Sequence, residues 1–253
     1  PAWSLSSVPA RIAPGDIDDD ANPTDDISTG FRRAKLAWYS IDPTFYTSQR
    51  PSGINDEDLS SNRTRRIYFD ELYPVTDVTP GQSTVVNTLD LSYFPQERGP
   101  YNFNPAAAGT NSFTEAEAVN NWGGIMRSIN STNFEQSNVE YIQFWMLDPY
   151  SGYPEDVLDP DNTGTLEINL GEISEDILKD NRKQYENGLT PTGGSQPTFT
   201  TTWGKVPVSQ SLIYAFDTEP ANRAAQDVGY DGLNDVEEAI AHPEFAGPDP
   251  AAD

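Results

Sequence analysis

The chain of 253 residues has no cysteine and a single histidine, His242. The first absence excludes disulfides, thiolate metal sites, a cysteine nucleophile and covalent haem attachment. The second excludes any site built from two or three imidazoles. Cations are scarce as well, with 15 Lys and Arg against 40 Asp and Glu and a formal net charge of -25. Nucleic acid and anionic lipid are recognised through basic patches, so neither is an expected partner. No apolar run approaches the ~20 residues that a membrane-spanning helix needs, so the chain itself is not expected to span a membrane as a helix. The sequence also contains no G-x-S-x-G elbow, P-loop or G-x-G-x-x-G turn. A triad would have to use His242, and no pair among the many carboxylates is singled out for glycoside hydrolysis. No catalytic residue is assigned, and the chain is not expected to be an enzyme.

Aromatics and turn formers are what the sequence has in quantity. Aromatic residues make up 11% of the chain, beside 21 prolines and 18 glycines. Large rings bury much area per residue, which allows a core despite a hydrophobic fraction of only 36%. Residues 1–30 carry two acid clusters among prolines and read as an acidic linker. Residues 31–41 hold a strand or short helix, and 85–94 alternates with Leu89, Leu91 and Tyr93 inward until Pro95 ends it. Thr114-Glu115-Ala116-Glu117 has the form of a capping box, and 125–129 follows as a strand. The run 139–147 is apolar on both faces and predicts a buried central strand that includes Trp145. Residues 165–170 alternate again with Leu166, Ile168 and Leu170 inward, and a helix is expected from Ser174 toward Tyr185. Short strands between Pro, Gly and Asx turns describe a mainly β chain. The expected domain is an antiparallel β-sandwich or jelly roll over 31–218, with long loops and a few short helices. An acidic loop and short-helix segment, 219–253, follows and is read as continuing into a larger parent chain.

Two acidic loops suggest calcium, a hard cation that takes oxygen ligands spaced along a glycine-bent turn. The first runs from Asp227 through Asp231-Gly232 to Glu238, although Gly229 stands where an EF-hand loop carries Asp or Asn. The second contains Asp159 and Asp161 in Asp159-Pro160-Asp161-Asn162. Each also reads as an ordinary turn or helix cap that needs no ion. Calcium is the one cofactor considered. Aromatic faces that stack on sugar rings give the alternative of a carbohydrate-binding module, with Trp122 and Trp203 as its candidate platforms and core packing as the opposing reading.

Longer blocks carry a resemblance. Phe31-Arg32-Arg33-Ala34-Lys35-Leu36-Ala37-Trp38-Tyr39 opens the series, and Leu89-Asp90-Leu91-Ser92-Tyr93-Phe94-Pro95-Gln96-Glu97-Arg98-Gly99-Pro100 continues it. Trp122-Gly123-Gly124-Ile125-Met126-Arg127 and Tyr141-Ile142-Gln143-Phe144-Trp145-Met146-Leu147-Asp148-Pro149 come next, and Asp227-Val228-Gly229-Tyr230-Asp231-Gly232-Leu233 closes it. In this order they resemble the SprA/Sov family of Bacteroidota, over nearly all of residues 8–238. The resemblance implies an internal piece of a very large outer-membrane protein of gliding motility and type IX secretion, located in the bacterial cell envelope. The partners it implies are the remainder of the translocon barrel, accessory secretion subunits and secreted cargo proteins. It implies no catalytic residues. The long acidic loops do not read as barrel wall, so a soluble region at the periplasmic or cell-surface face is expected.

Overall fold

In the computed structural model the described residues are 2–9, 27–129, 140–147, 164–183, 189, 197–208, 216–226 and 228–245. Proline, glycine and Asx turns cut the chain into short runs, and the elements are correspondingly short. The strands are β1 (Ser4–Leu5), β2 (Ala34–Tyr39), β3 (Ile67–Tyr68), β4 (Val85–Val86), β5 (Asp90–Arg98), β6 (Ile125–Met126), β7 (Thr198–Thr200) and β8 (Lys205–Pro207). Among the described residues they pair as four two-stranded sheets: β1–β6, β2–β5, β3–β4 and β7–β8. Antiparallel register places Leu5 opposite Ile125, Ile67 opposite Val86 and Phe199 opposite Val206. The helices are α1 (Asp56–Ser60), α2 (Phe69–Leu72), α3 (Glu115–Ala118), α4 (Pro220–Gln226) and α5 (Asp235–Ala241). Short antiparallel pairs and few helices are the architecture.

Local chemistry accounts for the helix starts. At α3 the Glu117 carboxylate accepts from the Thr114 backbone N–H at 2.8 Å and from its hydroxyl at 2.7 Å, the capping box anticipated from the spacing. At α5 the Asn234 side-chain oxygen accepts from the N–H groups of Val236 and Glu237, both at 3.1 Å. These bonds satisfy first-turn donors that the helix cannot satisfy itself. The expected helix from Ser174 does not form within the described residues. Lys179 and Asn181 have φ of 53° and 63°, and the Asp176 carboxylate accepts from the N–H groups of Asp180 and Asn181. The aspartate thus stabilises a turn where a helix would need right-handed backbone. Residues 184–185, toward which that helix was expected to run, lie outside the described residues.

The chain divides into two compact units, the first formed by 1–36, 93–128 and 169–253 and the second by 37–92 and 129–168. The division differs from the expected order of linker, single domain and acidic tail. Residues 2–9 and 27–30 are not linker: Leu5 pairs in β1, and Ser6, Ser7, Thr29 and Gly30 are buried. Pro95 does not end its strand, because β5 runs on to Arg98. Leu89, Leu91 and Tyr93 are exposed rather than inward-facing.

Burial is divided as sharply as the chain. Every buried hydrophobic side chain among the described residues belongs to the first unit, including Phe103, Trp122, Leu178, Trp203 and Val206. No described residue of the second unit is buried. Two further expectations change here. Residues 140–147 form no strand and are exposed throughout, and 165–170 likewise lack strand pairing and leave Leu166, Ile168 and Leu170 exposed. Sequence alternation identifies a segment fit for a sheet, but a strand exists only where a partner supplies the other half of the ladder.

Arg33 organises the first unit. Only 1% exposed, its guanidinium donates to the carbonyls of Ser6 at 2.8 Å and Ile177 at 3.1 Å, and it lies 4.6 Å from the Trp122 ring centroid. Its backbone carbonyl accepts from Gly99 N–H at 3.0 Å and Asn102 Nδ2 at 2.6 Å. A side chain at Gly99 would collide with the backbone of Ala34, so only glycine permits this approach. Burial pushes the guanidinium pKa down to about 10, which leaves it charged at neutral pH. Arg33→Ala strands two buried carbonyls and opens a cavity, so it is expected to cost about 3–5 kcal/mol. Arg33→Met retains much of the volume and is expected to cost less. Urea unfolding monitored by tryptophan fluorescence checks both, and a loss below about 1 kcal/mol for Arg33→Ala contradicts the assignment.

Candidate functional site

The best-built polar site of the first unit lies where the Tyr101 turn meets the loop before α5. Tyr101 has φ of 56°, a left-handed turn conformation for a bulky residue. Its hydroxyl accepts from the Tyr230 backbone N–H at 2.8 Å, and the two rings meet edge to face with centroids 5.9 Å apart. Burial pushes the Tyr101 hydroxyl pKa well above its ordinary value. The bond from Tyr230 opposes that shift, and the neighbouring charges of Asp231 and Glu238 reinforce it. The phenol is therefore a fixed neutral group rather than an acid or base at physiological pH.

Asp231 is buried in the same turn, and its Oδ1 accepts from Leu233 N–H at 3.0 Å. Its backbone carbonyl accepts from Lys205 N–H at 2.6 Å, tying the loop to β8. Gly232 has φ of 71°, and a side chain there would run into the Lys205 carbonyl. Glycine is thus required both by conformation and by contact. The Lys205 ammonium pairs with the Glu237 carboxylate, and that bond holds the Glu237 pKa below the usual carboxylate range.

Of the residues proposed from sequence as calcium ligands, Asp231 and Glu238 both lie close enough to Tyr101 to act on it electrostatically. Asp227, Asp159 and Asp161 lie outside the described residues. Among the described residues, no group of three or more His, Asp or Glu side chains is placed to hold a metal ion. The Asp231 Oδ1 serves as a turn acceptor, and the Glu237 carboxylate as a cap acceptor for Asn234 N–H. His242 closes α5 by donating its backbone N–H to the Glu238 carbonyl at 2.8 Å, and its ring stacks on Phe103 with centroids 3.6 Å apart. That places it in an aromatic cluster with Phe245.

The carbohydrate platforms are not at the surface. Trp122 is 6% exposed beneath Arg33, and Trp203 is 2% exposed beside Phe103. Neither ring offers a face to a sugar. Trp145, for which core packing was expected, is instead 64% exposed. Within the second unit its ring meets Tyr73 edge to face at 6.3 Å. Tyr141 is 76% exposed, and Ile142, Phe144, Met146 and Leu147 are exposed as well. Sequence reasoning identified this run but assigned it to the interior. It missed Arg33 and Tyr101, because a charged residue at a strand entry and a tyrosine after Gly-Pro carry no periodic signal. No protein-family model and no curated protein sequence matches the chain.

Asp231→Ala removes the acceptor for a buried N–H and is expected to lower stability by about 1–3 kcal/mol, measured by thermal melting. Calcium at this loop predicts more: chelation then lowers the melting temperature of the wild type but not that of Asp231→Ala. Melting unaffected by chelation in both proteins confines Asp231 to its turn.

Proposed function

We propose that this chain is a soluble interaction region of an outer-membrane protein translocon of the type IX secretion and gliding machinery, acting through shape and surface rather than chemistry. The observation that carries the proposal is the division of burial. The first unit holds all the buried apolar side chains among the described residues, and the second holds none while exposing many. Apolar burial is the main force that offsets chain entropy, and the described part of the second unit has little of it. Its exposed aromatics and aliphatics mark a surface that other protein covers. The resemblance to the SprA/Sov family suggests what that other protein is: the rest of the barrel, accessory subunits and exported cargo in the bacterial envelope.

In this reading the finer architecture is an antiparallel β-sandwich or jelly-roll-like domain, completed when the strand-patterned segments 140–147 and 164–170 acquire partners. No helix among the described residues is long and apolar enough to cross a membrane. The net charge of -25 gives the region a field that repels other acidic polymers and discourages nonspecific adhesion in an export conduit. A second reading, sugar binding, has support only after moving from Trp122 and Trp203 to the exposed Tyr141 and Trp145.

Removing residues 1–253 from the parent while retaining the barrel is expected to abolish or strongly reduce export of cargo, with the barrel still present in the outer membrane. Normal export without the region overturns the proposal. A glycan array probed with the chain separates the second reading, which requires binding that Trp145→Ala removes.

A further inference from the structure

We draw no further inference here: the strongest candidate, the exposed apolar run 140–147 of the second unit, carries none, because nothing in the structure shows what covers it.

Discussion

The first unit depends on one buried cation held by two backbone carbonyls. The Arg33 guanidinium bridges Ser6 and Ile177, which lie far from it in sequence, over the ring of Trp122. Its backbone meanwhile joins the Gly99 turn and Asn102. A buried charge without its hydrogen bonds is costly, so the arrangement is stable only when those segments are all in place. The side chain thus joins the N-terminal strand, the β2 entry and the 174–181 turn at one point. Tyr101, which follows Gly99-Pro100 directly, extends the junction to the loop before α5 by accepting from Tyr230 N–H.

The second unit is built differently. Several of its ties are local and solvent-exposed, such as the Asn55 and Asp58 caps of α1 and the Arg65 pair with Glu71, with 2.9 Å between Arg65 Nη1 and Glu71 Oε2. Exposed pairs of this kind contribute little to stability. The Tyr68 N–H, then the Arg65 guanidinium, hold the Glu71 pKa below its ordinary value. Whatever stability that bond gives is present above the unfolded carboxyl pKa and fades as pH falls through the lower folded value. Among the described residues, the buried apolar side chains lie in the first unit and the second leaves its own at the surface.

Local features were legible in the sequence and long-range ones were not. The Thr114 capping box and the alternation that becomes β5 follow from residue spacing, because their causes lie within a few residues. The interior assignment of Trp145 failed because alternation reports fitness for a sheet and not the presence of a partner. The sugar platforms failed for the complementary reason: burial of Trp122 and Trp203 is decided by Arg33 and Phe103, distant in sequence. Of the calcium candidates, Asp231 lies in the loop before α5 and Glu238 within α5, and the spacing did not reveal the turn bond that engages Asp231.

A first unit that holds the buried core of the described residues, and a 140–147 run with no ladder partner among them, have a direct signature in native-state hydrogen exchange of the full chain. Slow exchange is predicted at Ala34, Phe113 and Trp122, whose N–H groups are bonded within the first unit. Fast exchange is predicted throughout 140–147. Protection of 140–147 in the chain alone, comparable to that of Ala34 and Trp122, would contradict this division.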